Sequence, residues 1–589
     1  MKTVFLLFDS LNRLMLEPYG GEVLKTPNFR RLAERCITFD NHYIGSMPCM
    51  PARRDMQTGR HTFLHRSWGP LEPFDNSFPE LLKTAGAYSQ LISDHYHYWE
   101  DGGATYHNRF STFEFFRGQE GDPWKGHVAD PDIPKSVSWR AGRLWRQDWI
   151  NRGYTGTKET HSQTLTVNAG LEFITTNRGQ DNWFLQIECF DPHEPFFTPG
   201  PENPTAEGYD GDHFDWPDYR PVMEDDKTVA HLRKGYGTLL KMCDASLGRV
   251  LDLMDADGMW DDTMLIVCTD HGFLLGERGW YGKNVQPWYE ENIHTPLFLW
   301  DPRHRIANER RSALVQTVDF GPTLLEFFGL PLTPDMQGRP LAPAVQTDQP
   351  IRDTALFGVH GGHVCLTDGR YVYMRSCATP ANAPLEEFTL MPTRIDHRFA
   401  VADLVDAELH PPLPFTKSVP VLRTTGRAMG NPYHFGTLLY DLQADPDQLA
   451  PIRDPALERD MAEKLLVALR ASDAPPSQFA RLGLPETGPL ADEHLLVERQ
   501  WSQVQASLAR NWKVAPASDF DPRFSLPLTE FCADPALARQ TSQTLGVPLS
   551  GPLMERFGHL TLWQLCVMLP GITPDKLHAL GQTLSCETT

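Results

Sequence analysis

The chain has 589 residues, 41% apolar and 22% charged, with a formal charge of -22. It is too long for one hydrophobic core, so two or more domains are expected, and its composition excludes disorder over most of the length. The negative charge excludes nucleic acid and an anionic membrane as partners, since both require a dense basic surface, but a small anionic substrate held by a local cluster of Arg, Lys and metal is compatible with it.

The opening MKTVFLLFDS carries too short an apolar run for a signal peptide and leads into TVFLLFD (3–9), a run buried on both faces of a sheet that ends at Asp9. No run of 18 apolar residues spans a membrane, and ten cysteines without a paired CxxC spacing form neither a disulfide nor a zinc framework; a cytoplasmic location is expected. The stretch SMPCMPARRDMQTGR (46–60) predicts a helix over about 50–58, started near Pro51 and stopped by Gly59. Cys49 then sits at its N-terminus among free backbone N–H groups, and Arg53, four residues on, shares its face. Such an arrangement suits attack on an anion, or is simply a buried cysteine beside a surface arginine.

Further along, WFLQIECFD (183–191) and MLIVCTD (264–270) repeat the pattern of an apolar run ending at aspartate. Between them, residues 228–254 place Leu240, Cys243, Leu247, Val250, Leu251 and Met254 on one helical stripe. Alternating strands and helices indicate an α/β domain in which Asp9, Asp191 and Asp270 converge beyond the strand ends. In FDPHEPF, His193 lies in a strand-exit loop at the same edge. In TDHGFLLGERGWYGK, Asp270 and His271 leave a strand together as a pair able to ligate one divalent ion, and a glycine-rich turn returns Lys283 over the same pocket.

From about residue 350 the pattern changes to strand, turn, strand around Asp368-Gly369, then a Pro-rich stretch and GTLLYDLQADPDQ, which indicates a smaller antiparallel unit. Residues beyond about 450 read as mostly helical. The domain boundaries expected are 1–345 for the catalytic α/β unit, 346–470 for the smaller unit, and 471–589 for a helical extension serving assembly or as a lid, its apolar LTLWQLCVML run packed on the chain's own core or on another subunit.

Taken together, KTPNFRRLAERCITFDNHYIGSMPCMPAR, CDASLGRVLDLMDADGMWDDTMLIVCTDHG, TDGRYVYMR and LYDLQADPD resemble, in order over about residues 1–450, the type I sulfatases of the alkaline phosphatase superfamily. The resemblance implies an alkaline-phosphatase-like fold, a mixed, mostly parallel sheet sandwiched by helices. It also implies conversion of Cys49 to formylglycine by a formylglycine-generating enzyme, giving an aldehyde hydrate that cleaves a small anionic ester. By the same resemblance Asp9, the modified Cys49, Asp270 and His271 hold one divalent ion, calcium or else manganese or zinc. Arg53 steadies the diol and the substrate anion, and His193 and Lys283 serve the leaving group.

Two departures stand out. Where many relatives have a second acid or amide after the first aspartate, this chain has Ser10, so either Ser10 or Asn12 completes the shell. Where many sulfatases show Gly-Lys-Trp-His, this chain has Asp94, His95 and His97 as substrate-binding candidates, one histidine serving as the family's base. The lost lysine and the histidine ligand also resemble the phosphonate monoester hydrolases and phosphodiesterases of the superfamily. A reading of another class is a non-catalytic, metal-stabilised binding protein with unmodified Cys49. A homo-oligomer is expected in either case.

Overall fold

A computed structural model describes residues 1–134, 143–199, 209–508, 522–551, 553–554, 558, 560–562, 565 and 574–586. Strands β1 (Lys2–Phe8), β2 (Ile37–Phe39), β3 (Tyr88–Ser93), β4 (Thr112–Phe115), β5 (Trp183–Cys189), β6 (Thr263–Cys268), β7 (Leu297–Trp300) and β8 (Glu309–Arg311) form one eight-stranded sheet in the order β8-β2-β7-β6-β1-β5-β3-β4. All its pairs are parallel except those of β7, which runs against β6 and β2. The three apolar runs ending at aspartate are thus the three central strands.

Their continuous apolar character has a direct cause: both faces are covered. Along β1, Val4, Leu6 and Phe8 pack on one side against the long helix Asp226–Ala256 through Leu240, Cys243, Leu247 and Leu251. Phe5 and Leu7 pack on the other side with Met50, Met56, Phe320 and Leu324. Met50 and Met56 belong to the helix Cys49–Thr58, every residue of which is buried. It starts after Pro48 and stops at Gly59, whose left-handed φ of 68° a residue without Cβ adopts at little cost.

The second unit is an antiparallel sheet of β9 (Ala355–Gly358), β10 (Val364–Thr367), β11 (Tyr371–Arg375) and β12 (Leu438–Asp441). The Pro-rich stretch between β11 and β12 holds a further three-stranded antiparallel sheet, Glu386–Thr389, Glu408–His410 and Val421–Thr425, which the sequence pattern does not disclose.

Packing does not break at residue 471. Phe479, Leu482 and Val497 join the helix Pro455–Ala471 in one core on this sheet, and Val504 packs with Phe357 and Tyr440. A separate apolar cluster begins at Phe524 and takes in Leu528, Leu545, Leu577 and Leu580. Leu562 and Leu565 of the LTLWQLCVML run are buried in it, while residues 563–564 and 566–569 lie outside the described residues. Among the described residues no helix is long and apolar enough to cross a membrane.

Candidate active site

Strand register decides which residues meet at the sheet edge. Leu7 pairs with Cys268 and Phe8 with Cys189, so Asp9 emerges level with Asp270 and with Phe190. Asp191 comes one residue later, on the opposite side of the pleat. It therefore does not converge with the other two: the Gln119 side-chain amide donates both to Asp191 Oδ2 at 3.2 Å and to Asp94 Oδ2 at 2.9 Å. Asp94 in turn accepts the Phe190 N–H at 2.8 Å, so this expected substrate contact is turned into the protein.

Asp9, Cys49, Asp270 and His271 do meet, with one donor atom from each within 4.8 Å of the others, all buried. His271 Nδ1 lies 2.9 Å from the Gly272 carbonyl oxygen, which can only accept, so Nδ1 carries the proton. The Nε2 lone pair is left facing Cys49 Sγ at 3.2 Å. Burial, then the charge of Lys283, lowers the His271 pKa to about 3, keeping the ring neutral and fit for ligation. Ser10 Oγ donates to Asp9 Oδ1 at 2.8 Å, and its backbone N–H donates to Asp270 Oδ1 at 3.1 Å from a left-handed φ of 61°. Asn12 is spent elsewhere, capping the Leu14 N–H and donating to the Phe273 carbonyl. Of the two alternatives, Ser10 abuts the cluster and Asn12 does not.

Arg53 does not reach toward the thiol. Its guanidinium donates to Asp9 Oδ2 at 2.9 Å, Asp270 Oδ2 at 2.7 Å, Glu188 Oε1 at 2.7 Å and the Cys49 carbonyl oxygen at 2.9 Å. Burial works against the Asp9 charge, but Arg53 overrides it and holds that carboxyl well below the usual range. Burial, and then the Asp9 charge, push Asp270 up to about 7. Glu188, anchored also by the Tyr98 hydroxyl at 2.8 Å, is a site residue the reading missed; the available signal was a charge inside a strand buried on both faces.

On the other side of Cys49, Lys283 Nζ lies 3.3 Å from Sγ and 2.6 Å from His193 Nε2. His193 Nδ1 donates to the Glu194 carbonyl at 2.5 Å, so its Nε2 accepts from the ammonium. Burial opposes the charge on Lys283, yet Cys49, Glu194, Asp9 and Asp270 hold its pKa above the ordinary value, whereas burial and Lys283 hold His193 well below its own. Burial, then Asp9, also pushes the Cys49 thiol far up, which disarms it as a thiolate nucleophile. His95 is buried with its Nε2 3.3 Å from Asp9 Oδ2.

This donor set fits a divalent cation. Asp9, Asp270, Glu188 and Glu194 are four buried carboxyls facing two buried cations, Arg53 and Lys283, a deficit of two positive charges when all are ionised. Above Cys49, His193 and Lys283 opens a cavity of about 900 Å³ whose wall includes His97, its Nδ1 2.5 Å from Glu100 Oε2.

The Sulfatase family model matches residues 2–330. The chain belongs to the sulfatase family. It is accordingly a sulfuric ester hydrolase of the alkaline phosphatase superfamily, and the binding-protein alternative gains nothing. A multifunctional alkaline phosphatase superfamily protein, PehA, of Trinickia caryophylli is 26% identical over 393 residues, 58% of this chain and 75% of its own length. An arylsulfatase of Clostridium perfringens is 22% identical over 398 residues, 61% of this chain and 81% of the relative. The crystal structure of the phosphonate monoester hydrolase of Agrobacterium radiobacter superposes with a TM-score of 0.55 at 19% identity, covering 83% of this chain and 99% of the other, which establishes the alkaline-phosphatase-like fold of this sulfatase.

Proposed function

We propose that this sulfatase works through formylglycine made from Cys49 by a formylglycine-generating enzyme, with one divalent ion held by Asp9, the converted Cys49, Asp270 and His271. The observation that carries the reading is the meeting of these four donor groups at the N-terminus of a fully buried helix, with Lys283 and His193 on the cavity side. A thiol pushed far above its ordinary pKa supports it, since unmodified Cys49 is a poor nucleophile there. An aldehyde hydrate would supply one hydroxyl for attack on sulfur and a second for release of sulfate, and a divalent ion held by Asp9, position 49, Asp270 and His271 would supply positive charge there.

The chain's own residues do the remaining work. Arg53 pins Asp9 and Asp270 in one geometry, acting on the anion through the carboxylates it holds. The free N–H groups of the helix start favour negative charge at position 49. Lys283 holds a proton beside the position the departing alcohol oxygen vacates, and His193 accepts from Lys283, so one of the pair protonates the leaving group. His95 sits behind Asp9 and His97 on the cavity wall; Asp94 orders the loop between them and β5. Calcium is the commonest ion of such sites, while an imidazole donor suits manganese or zinc better.

A second reading, hydrolysis of phosphonate monoesters or phosphodiesters, is favoured by the likeness of the fold to a phosphonate monoester hydrolase and by Asp94 and His95 standing where a sulfate-binding lysine is common. Rates on aryl sulfate, phosphonate monoester and phosphodiester, measured side by side on chelator-treated protein with each ion added back, decide between them. Fastest turnover of aryl sulfate, restored by one ion, is expected; turnover indifferent to chelation would remove the metal from the account.

A further inference from the structure

A second hollow shares no lining residue with the cavity above Cys49. It encloses about 480 Å³ between the loop that follows β1 and the long helix Asp226–Ala256. Ala230, Lys234, Gly237 and Lys241 recur along that helix at intervals of three or four residues, so they form one stripe of it along the hollow. At Gly237 an added Cβ would meet nothing nearer than the Leu24 side chain at 3.9 Å, which makes the middle of the stripe a trough. The opposite wall is apolar, with Leu14, Met15, Val23 and Leu24. Two of these are left in water: Val23 is 90% exposed and Leu14 43%.

The lining carboxylates are engaged, Glu277 with Arg233 at 3.2 Å and Glu291 with Arg278 at 2.9 Å. Lys234 and Lys241, one on each side of Gly237, have no ion-pair partner among the described residues. Two such ammonium groups beside exposed apolar side chains suit a molecule with an apolar body and an anionic head, and they do so on a chain whose net charge of -22 otherwise repels anions. The volume is that of a small-molecule site. We propose that this hollow binds a small amphipathic anion, its apolar body against Leu14, Val23 and Leu24 and its carboxylate, sulfate or phosphate group between Lys234 and Lys241. The inference does not rest on the catalytic reading.

Octanoate tests it, because it has an apolar body and an anionic head but no ester for the catalytic centre to cleave. Calorimetry on the full-length protein, at concentrations below micelle formation, compares it with the neutral octanamide and the cationic octyltrimethylammonium. Octanoate is expected to bind at one site per chain and at least tenfold tighter than either, whereas non-specific adsorption to so acidic a chain would favour the cation. Reversing both charges, Lys234→Glu with Lys241→Glu, should weaken octanoate at least tenfold. Gly237→Leu, which fills the trough and leaves the charge unchanged, should do the same, and either variant decides the matter if the other misfolds. No saturable binding, equal binding of the amide, tighter binding of the cation, or an affinity that the folded variants leave unchanged overturns the inference.

Discussion

Lys283 donates to His193 across 2.6 Å, and His193 is fixed as the acceptor because its other ring nitrogen is committed to the Glu194 carbonyl. The pair therefore holds a transferable proton on the cavity side of Cys49, 3.3 Å from its sulfur. Replacing either member by alanine should lower kcat on an alkyl sulfate by about 10²- to 10⁴-fold, the range of general acid catalysis. The loss should be much smaller on a nitrophenyl sulfate, whose leaving oxygen departs without a proton. A leaving-group series on both variants reads the difference as a steeper dependence on alcohol acidity.

Metal affinity should depend on pH with a defined sign. Burial and the Asp9 charge raise Asp270 to about 7, so in metal-free protein the pair keeps a proton below that pH, and an entering ion must displace it. Apparent affinity should fall by up to about tenfold per pH unit below 7 and level off above. For stability the sign is that of an acid with a raised folded pKa: its contribution to the metal-free protein is full below the ordinary carboxylate range and is lost as pH rises through about 7. The rise in Tm produced by metal should accordingly grow between about pH 5 and 7 and then plateau. Calorimetry and thermal melts over that range check both statements.

Arg53 is a structural keystone as much as a site residue. Truncating it to alanine leaves Asp9, Asp270 and Glu188 buried without their shared cation, a change expected to cost about 3–5 kcal/mol. Lysine should rescue little, because one ammonium cannot span the three carboxylates that the planar guanidinium joins. Denaturant unfolding of both variants measures this. Saturating divalent ion should recover part of the loss, since it occupies the same electrostatic deficit.

Much of this was legible in the residues. Three apolar runs ending at aspartate do form the central strands, and the helix that presents Cys49 does stop at Gly59, although it starts at Cys49, directly after Pro48 and two residues ahead of Pro51. What was not legible depends on register and on side-chain direction. Asp191 reads like Asp9 and Asp270 in one dimension, yet a one-residue offset between strand ends turns it toward Gln119. The direction of Arg53, toward three acids and away from the thiol, follows from Glu188, whose position in β5 only pairing with β1 reveals. Nor was it legible that Phe479, Leu482, Val497 and Val504, beyond residue 471, pack on the antiparallel sheet, because helical periodicity does not say what a helix packs on.

The last apolar cluster gives a truncation test. Ending the chain at residue 508 removes only the cluster that begins at Phe524, so the protein should stay folded and bind metal, while its oligomer size or substrate range changes if this segment serves assembly or as a lid. Ending it at 490 also removes Val497 and Val504 from buried positions and should lower stability by several kcal/mol. Light scattering, melts and kinetics on both truncations distinguish the two cuts. Unchanged size and kinetics after the cut at 508 would leave the segment without either role.

The central claim is that position 49 acts as an aldehyde. Mass spectrometry of the peptide spanning Cys49, taken from preparations of differing specific activity, tests it most directly. The account predicts a mass deficit and hydrazine labelling at this peptide, in a fraction that rises in proportion to activity across the preparations. Full multiple-turnover activity in protein whose Cys49 is entirely an unmodified thiol would contradict it.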